Sequence, residues 1–291
     1  MLIFDIGSNR YEFVEACLGR YDECMIVAVD PLSIGSFPPH LRETADRLIR
    51  RYGSQIVPVT RVVSATSGEK IPFYVNAHEP GMSTASKYFL ERSRFALGND
   101  NILEAYRQEG LSQGVYDFPD LASYKKAILE GYPDVKSFLS ALRHEGDGIL
   151  MAETITLDDL IMQHGIPDLI KIDVEGHEPE VLRGLSQRVP KICFEWNEEM
   201  DSQLWESLGL LKELGYTQFG VSGRFVEGSD LEKLSYDEGG DTYLLEPTTY
   251  HTYDDIVAAL KPAINMDRRI NWGMGWVQKE QVYDDLPADP L

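Results

Sequence analysis

Basic residues are scarce in this chain. Across 291 residues there are 27 Lys+Arg against 48 Asp+Glu, a formal net charge of −21. That balance argues against a broad phosphate-backbone interface with DNA or RNA. It argues equally against docking on an anionic membrane surface. Arg42, Arg47, Arg50 and Arg51 cluster on one helix candidate, as a local basic pocket or as an ordinary solvated helix face. Cysteine is also scarce, with Cys17, Cys24 and Cys193 alone. Three is an odd number without metal-ligand spacing. Cys193 sits in the apolar run Ile192-Cys193-Phe194 and reads as a small buried hydrophobe. Free thiols and a reducing, cytoplasmic compartment are therefore expected. No apolar run has the length of a membrane span. The start, Met1-Leu2-Ile3-Phe4-Asp5, has no basic segment leading into an apolar one, so no signal peptide is expected. Internal repeats and low-complexity linkers are absent.

Two phosphate-binding signatures are missing as well. After the first strand candidate the chain reads Gly7-Ser8-Asn9-Arg10-Tyr11-Glu12. The later glycines of G-x-G-x-x-G are not there, and neither is a Walker lysine motif. No pyrophosphate seat is therefore expected.

What is present is an acid-rich strand end. Leu169, Ile170, Ile172 and Val174 form a nearly continuous apolar run, as in a parallel strand covered on both faces. Asp173, Glu175, His177 and Glu178 follow within a few positions. In open α/β sheets ligands bind beyond the carboxyl ends of the strands, so Asp173 and Glu175 are expected at a site. Glu180, by contrast, only charges the first turn of the next helix, where the macrodipole favours anions.

The surrounding pattern is βαβ. Strand candidates at Leu2–Ile6, Met25–Val29 and Gln55–Ala65 alternate with helix candidates at Tyr11–Leu18 and Pro39–Tyr52, which specifies a parallel sheet with right-handed crossovers. Lys70–Asn76 reads as a hairpin return. From His78 to Glu153 no buried strand is evident. Tyr88–Leu97, Leu121–Glu130 and Val135–Arg143 carry helical periodicity, and Ser83-Thr84-Ala85-Ser86 reads as a loop or helix start. This stretch is too long for a bare loop. It is expected to be a helical insertion over the sheet edge, either a lid and acceptor-binding element or a packing subdomain.

The sheet then resumes. Thr156 caps a helix, with Asp159 placed as in a capping box. The strand ending at Glu175, a helix over Glu178–Leu185, the strand Pro190–Trp196 and a helix over Asp201–Leu214 follow. Thr217–Val221 and Asp241–Glu246 are expected to complete a terminal strand pair. Tyr253–Leu260 reads as a helix, and Asn271–Trp276 as a glycine-tryptophan turn. Trp272 and Trp276 are placed to clamp it onto the body or onto a second subunit. The expected boundaries are 1–77, an insertion at 78–153, 154–246, and a C-terminal tail at 247–291.

Asp5-x-Gly7-x-Asn9 ends the first strand where free backbone N–H groups of the next helix face the pocket. Asp30 ends the second strand, where an acid can accept from both hydroxyls of a ribose. A nucleoside cofactor without phosphates, S-adenosylmethionine (SAM), fits that turn better than a dinucleotide.

Four segments carry a family resemblance. Asp5-Ile6-Gly7-Ser8-Asn9, Val29-Asp30-Pro31, Thr156-Leu157-Asp158-Asp159-Leu160, and Ile170-Lys171-Ile172-Asp173-Val174-Glu175-Gly176-His177-Glu178 through Val181-Leu182-Arg183-Gly184 resemble the FkbM-type SAM-dependent methyltransferases. The last two, in that order, are the more specific. The resemblance covers residues 1–77 and 152–246. It implies a Rossmann-like class I methyltransferase fold, a seven-stranded mostly parallel sheet of order 3-2-1-4-5-7-6 with the last strand antiparallel. It also implies methyl transfer, usually to a hydroxyl of a small molecule or glycan. By position, Gly7 and Asn9 would flank the methionine part of SAM, with Asp5 and Ser8 in the same turn. Asp30 would hold the ribose, and Ser64 and Ala65 would lie near the adenine. Where the family usually has a second glycine, this chain has Tyr11, which either crowds the methionine carboxylate or offers it a hydroxyl.

Removal of the acceptor proton needs a base. Glu175 and His177 are the candidates, with Asp173 beside them. His177 has the alternative of being an ordinary helix-start residue. Glu195 and Asn197, at the next strand end, are expected to bind acceptor hydroxyls. Acids so clustered can hold a divalent cation through oxygen, but no spacing demands one and no metal is expected. The expected partners are a small-molecule or glycan acceptor and possible further copies of the chain, without nucleic acid or membrane. Two other readings stay open: a binding or scaffold protein that keeps the fold without turnover, and a nicotinamide-dependent oxidoreductase using Asp30.

Overall fold

The computed structural model describes residues 1–32, 39–75, 81, 83–86, 104, 107–108, 110–112, 114, 117–129, 149–197, 201–224, 246–247, 249–265 and 272–279. The expected helices at Tyr88–Leu97 and Val135–Arg143 lie outside these residues, as does nearly all of the strand expected at Asp241–Glu246. No helix among the described residues is long and apolar enough to cross a membrane.

Seven strands form the main sheet. They are β1 (Leu2–Ile6), β2 (Met25–Val29), β3 (Ile56–Val59), β7 (Leu169–Ile172), β8 (Lys191–Asn197), β9 (Gln218–Arg224) and β10 (Trp272–Gln278). Their order is β3-β2-β1-β7-β8-β10-β9. Counted within this sheet alone, that is 3-2-1-4-5-7-6. Strands β3, β2, β1, β7 and β8 pair parallel. The last strand, β10, runs antiparallel to both its neighbours.

A second, three-stranded sheet has the order β4 (Val62–Val63), β6 (Ile149–Ile155), β5 (Lys70–Tyr74). Lys70–Tyr74 therefore returns on Ile149–Ile155, in antiparallel register, and not on the third strand. The strand at 149–155 was not expected. Its first three residues, Ile149, Leu150 and Met151, are exposed, so the chain shows no buried alternation there.

Helices cover both faces of the main sheet. On one side lie α1 (Glu12–Arg20) and α2 (Pro39–Tyr52). On the other lie α4 (Leu157–His164), α5 (Glu178–Arg183), α6 (Asp201–Glu213) and α7 (Tyr253–Asn265), while α3 (Leu121–Leu129) belongs to the stretch expected as an insertion. Successive strand residues point to opposite faces, and the two core clusters divide accordingly. Phe4, Ile6, Val27, Val29, Ile170 and Ile172 pack with α4, α5, α6 and α7. Ile3, Ile26, Ala28 and Leu169 pack with α1 and α2. By the same alternation Asp5 and Lys171, which are register partners, point into the α1 and α2 layer.

The glycine-tryptophan segment is a strand, not a turn. Gly275 lies against the Phe194 ring, and a Cβ there would stand 2.5 Å from Phe194 Cζ. Glycine at this point makes room for an aromatic side chain on the neighbouring strand. Trp276 is buried, and its indole N–H donates to Ser222 Oγ at 2.7 Å, so it packs within the sheet. The expected cap of α4 holds in one half. Thr156 Oγ1 accepts from the Asp159 N–H at 3.1 Å. The reciprocal bond is relayed through Ser67, whose Oγ accepts from the Thr156 N–H at 2.8 Å and donates to Asp159. All three cysteines are free and buried.

Candidate active site

The carboxyl ends of β1, β2, β4, β7 and β8 open onto one cleft of about 280 Å³. Gly7, Asn9 and Asp30 line it, with the apolar side chains of Pro31, Val62, Val63 and Phe73. Asp173, Glu175, His177 and Glu195 line it as well. Seven of the expected site residues therefore share a single cavity.

The turn after β1 is folded back on β2. The N–H groups of Gly7 and Ser8 both donate to the Val29 carbonyl, at 2.9 and 3.2 Å. Gly7 has a left-handed φ of 82°, which glycine adopts without steric cost. Asp30 closes the turn. Its Oδ2 accepts from the Asn9 N–H at 3.0 Å and its Oδ1 from the Leu32 N–H at 2.8 Å. Burial pushes the Asp30 carboxyl up to about 6, against the opposing pull of these two N–H donors. Asn9 Oδ1 is a buried acceptor without a hydrogen-bond partner among the described residues.

Beneath this turn lies a buried ion group that sequence reasoning missed. Lys171 Nζ is 3.2 Å from Asp5 Oδ1 and 3.3 Å from Asp173 Oδ2, and it donates to the Gly7 carbonyl at 3.1 Å. Asp5 was expected to touch the cofactor. It is fully buried, outside the cleft lining, with its carboxyl pushed up by burial and drawn down by Lys171. Lys171 ties the end of β1 to the end of β7. A lysine within an otherwise apolar strand run was the only signal for it.

The loop after β7 is tightly wound. Glu175 and Gly176 have left-handed φ values of 54° and 86°. For a glutamate this conformation costs roughly 1–2 kcal/mol, and such strain gathers at functional sites. Glu178 secures the loop from below. Its Oε1 accepts from the N–H groups of Val174 and Gly176, at 3.1 and 3.3 Å. Burial raises the Glu178 carboxyl to about 7. His177 Nε2 lies 3.3 Å from Ser64 Oγ. Burial, with a smaller contribution from the Arg183 charge, depresses the imidazole to about 4, so His177 is neutral near pH 7.

Several expected positions shift. Ser64 and Ala65 do not line the cleft; Val62 and Val63 do. The Ser64 N–H donates to the Ile155 carbonyl and so extends the pairing of β4 with β6. Ser8 lines a separate cavity with Tyr11 and a further face of Asp30. Tyr11 is buried in the α1 and α2 layer and is absent from the cleft lining. Asn197 ends β8, and its side chain lies outside the described residues. Arg10, Glu12 and Arg61 also line the cleft, without any motif to announce them.

Asp173, Glu175 and Glu195 converge. One oxygen from each lies within 4.8 Å of the others. Such a set can bind hydroxyl hydrogens, accept a proton, or meet a hard cation through oxygen.

Comparison with known proteins fits this geometry. The family model for the methyltransferase FkbM domain matches residues 14–217, well over half of the chain. This chain belongs to the FkbM methyltransferase family. Among solved structures, the crystal structure of methyltransferase FkbM from Methylobacillus flagellatus KT is similar to this FkbM-family chain. The two share 14% identity at a TM-score of 0.37, over 75% of this chain and 39% of that one. The FkbM-family chain thus spans well under half the length of that protein. No curated protein matches it.

Proposed function

We propose that this protein transfers a methyl group from SAM to a hydroxyl oxygen of a small-molecule or glycan acceptor. One observation carries the reading. Gly7, Asn9 and Asp30 line the same cleft as Asp173, Glu175, His177 and Glu195, so a nucleoside seat and a proton-accepting end are continuous. The family assignment supports methyl transfer.

The residues present fit SAM. The orphaned Asn9 Oδ1 is an acceptor of the kind an amino-acid ammonium needs. Each Asp30 oxygen takes one N–H and keeps a lone pair for a ribose hydroxyl. Pro31, Val62, Val63 and Phe73 offer an apolar slot for a purine. SAM, when bound, supplies an electrophilic methyl group on a sulfonium. Asp173 and Glu195 orient the acceptor hydroxyl. Glu175 takes its proton, since an imidazole depressed to about 4 is a poor base at neutral pH. His177 serves as a neutral polar wall.

Calorimetry with SAM and S-adenosylhomocysteine tests the seat. Wild type is expected to bind both, and Asp30→Ala to lose about 10- to 100-fold in affinity. A wild type that binds neither sinks the reading.

A further inference from the structure

Glu175 holds an unfavourable backbone conformation, and something must keep it there. Glu178 secures the N–H groups on either side of it. The carbonyls of the same turn are held by a residue far away in sequence. Thr84 is fully buried. Its Oγ1 donates to the Glu175 carbonyl at 2.8 Å and lies 3.4 Å from the Val174 carbonyl. The same oxygen accepts from the Ser86 N–H at 2.8 Å, so the hydroxyl both donates and accepts. The Thr84 backbone is anchored in turn. It exchanges two hydrogen bonds with Tyr74, at 2.8 and 3.0 Å, at the end of β5. A continuous path therefore runs from the small sheet through Thr84 to the turn that carries Glu175. Ser83 and Ala85, on either side of Thr84, line the cleft.

We propose that Thr84 is a positioning residue: its hydroxyl holds the left-handed turn at Glu175 so that the Glu175 carboxylate converges with Asp173 and Glu195 at the acceptor end of the cleft. This rests on the reading of that end as the proton-accepting one. It assigns a role to the short Ser83–Ser86 segment that precedes most of the insertion. A hydroxyl is required at position 84, and the methyl group is secondary.

The test uses Tb³⁺ luminescence as a probe of whether the three carboxylates converge, with S-adenosylhomocysteine calorimetry alongside. Thr84→Val keeps the shape and removes the hydroxyl. It is expected to weaken Tb³⁺ binding about tenfold or more, because affinity for such cations follows ligand count and site rigidity, while S-adenosylhomocysteine affinity stays at the wild-type value. Thr84→Ser restores the hydroxyl and is expected to match wild type. Equal Tb³⁺ affinity in wild type and Thr84→Val overturns the proposal, as does failure of Thr84→Ser to match wild type. Should Thr84→Val not fold, Thr84→Ala takes its place, with the same expected loss of Tb³⁺ affinity, and equal affinity in wild type and Thr84→Ala overturns the proposal. A wild type that binds no Tb³⁺ also overturns it. A wild type that binds Tb³⁺ but not S-adenosylhomocysteine removes the methyl-transfer reading and leaves the Thr84 comparison standing.

Discussion

The carbonyl oxygen of Asp173 occupies the space that a side chain at Gly7 would need: a Cβ there would fall 1.8 Å from it. The turn after β1 and the loop after β7 thus approach each other closely. Gly7→Ala must move one of them and also bear a positive φ. It is expected to cost at least about 2 kcal/mol of stability and to weaken S-adenosylhomocysteine binding. Gly19→Ala, in α1 with open space around it, is the control and is expected to be neutral or slightly stabilising. Urea midpoints of the two variants check this.

Lys171→Met strands the buried Asp5 carboxylate, which meets no other cation among the described residues. Breaking one side of a buried ion pair costs about 3–5 kcal/mol. Adding Asp5→Asn removes the stranded charge, and the double variant is expected to regain part of the loss. A double variant less stable than Lys171→Met in chemical denaturation would contradict this account.

Glu178 makes stability depend on pH in a stated direction. Burial raises its carboxyl to about 7 in the folded chain, from an ordinary value of 4.5. Between those values the folded chain holds a proton that the unfolded chain has released. The stabilisation it gives is full below about 4.5 and is lost as pH rises towards 7. Glu178→Gln does not titrate and keeps the acceptor oxygen for Val174 and Gly176. Its stability relative to wild type is expected to grow across this window, by roughly 3 kcal/mol at most. Thermal melts at several pH values read the difference, and a flat difference would refute it.

The sheet and most of the cleft could be read from the chain because their signals are local. Apolar runs end at Asp30 and Asp173, and strand ends are where α/β sheets bind ligands. What escaped depends on distant partners. Asp5 looked like a cofactor ligand because it adjoins Gly7 in sequence, yet its pairing with Lys171 across two strands turns it inward. Gly273 and Gly275 suggested a turn, since nothing in sequence reveals that Gly275 faces the Phe194 ring. Ser64 stands just behind the cleft wall, with its Oγ 3.3 Å from His177 Nε2, a long-range contact that no local pattern announces. Thr84 carries no motif at all; only its contact with the Glu175 carbonyl gives it a role.

Among the described residues, β9 meets the sheet through β10 alone. Synthesis runs from the amino end, so β8 and β9 both exist before the strand that joins them. Until it arrives, each presents an unpaired edge, the kind of surface that recruits wrong neighbours in a nascent chain. Loss of residues 272–278 would therefore not trim the protein at its margin; it would split β9 from the sheet and leave two sticky edges facing each other.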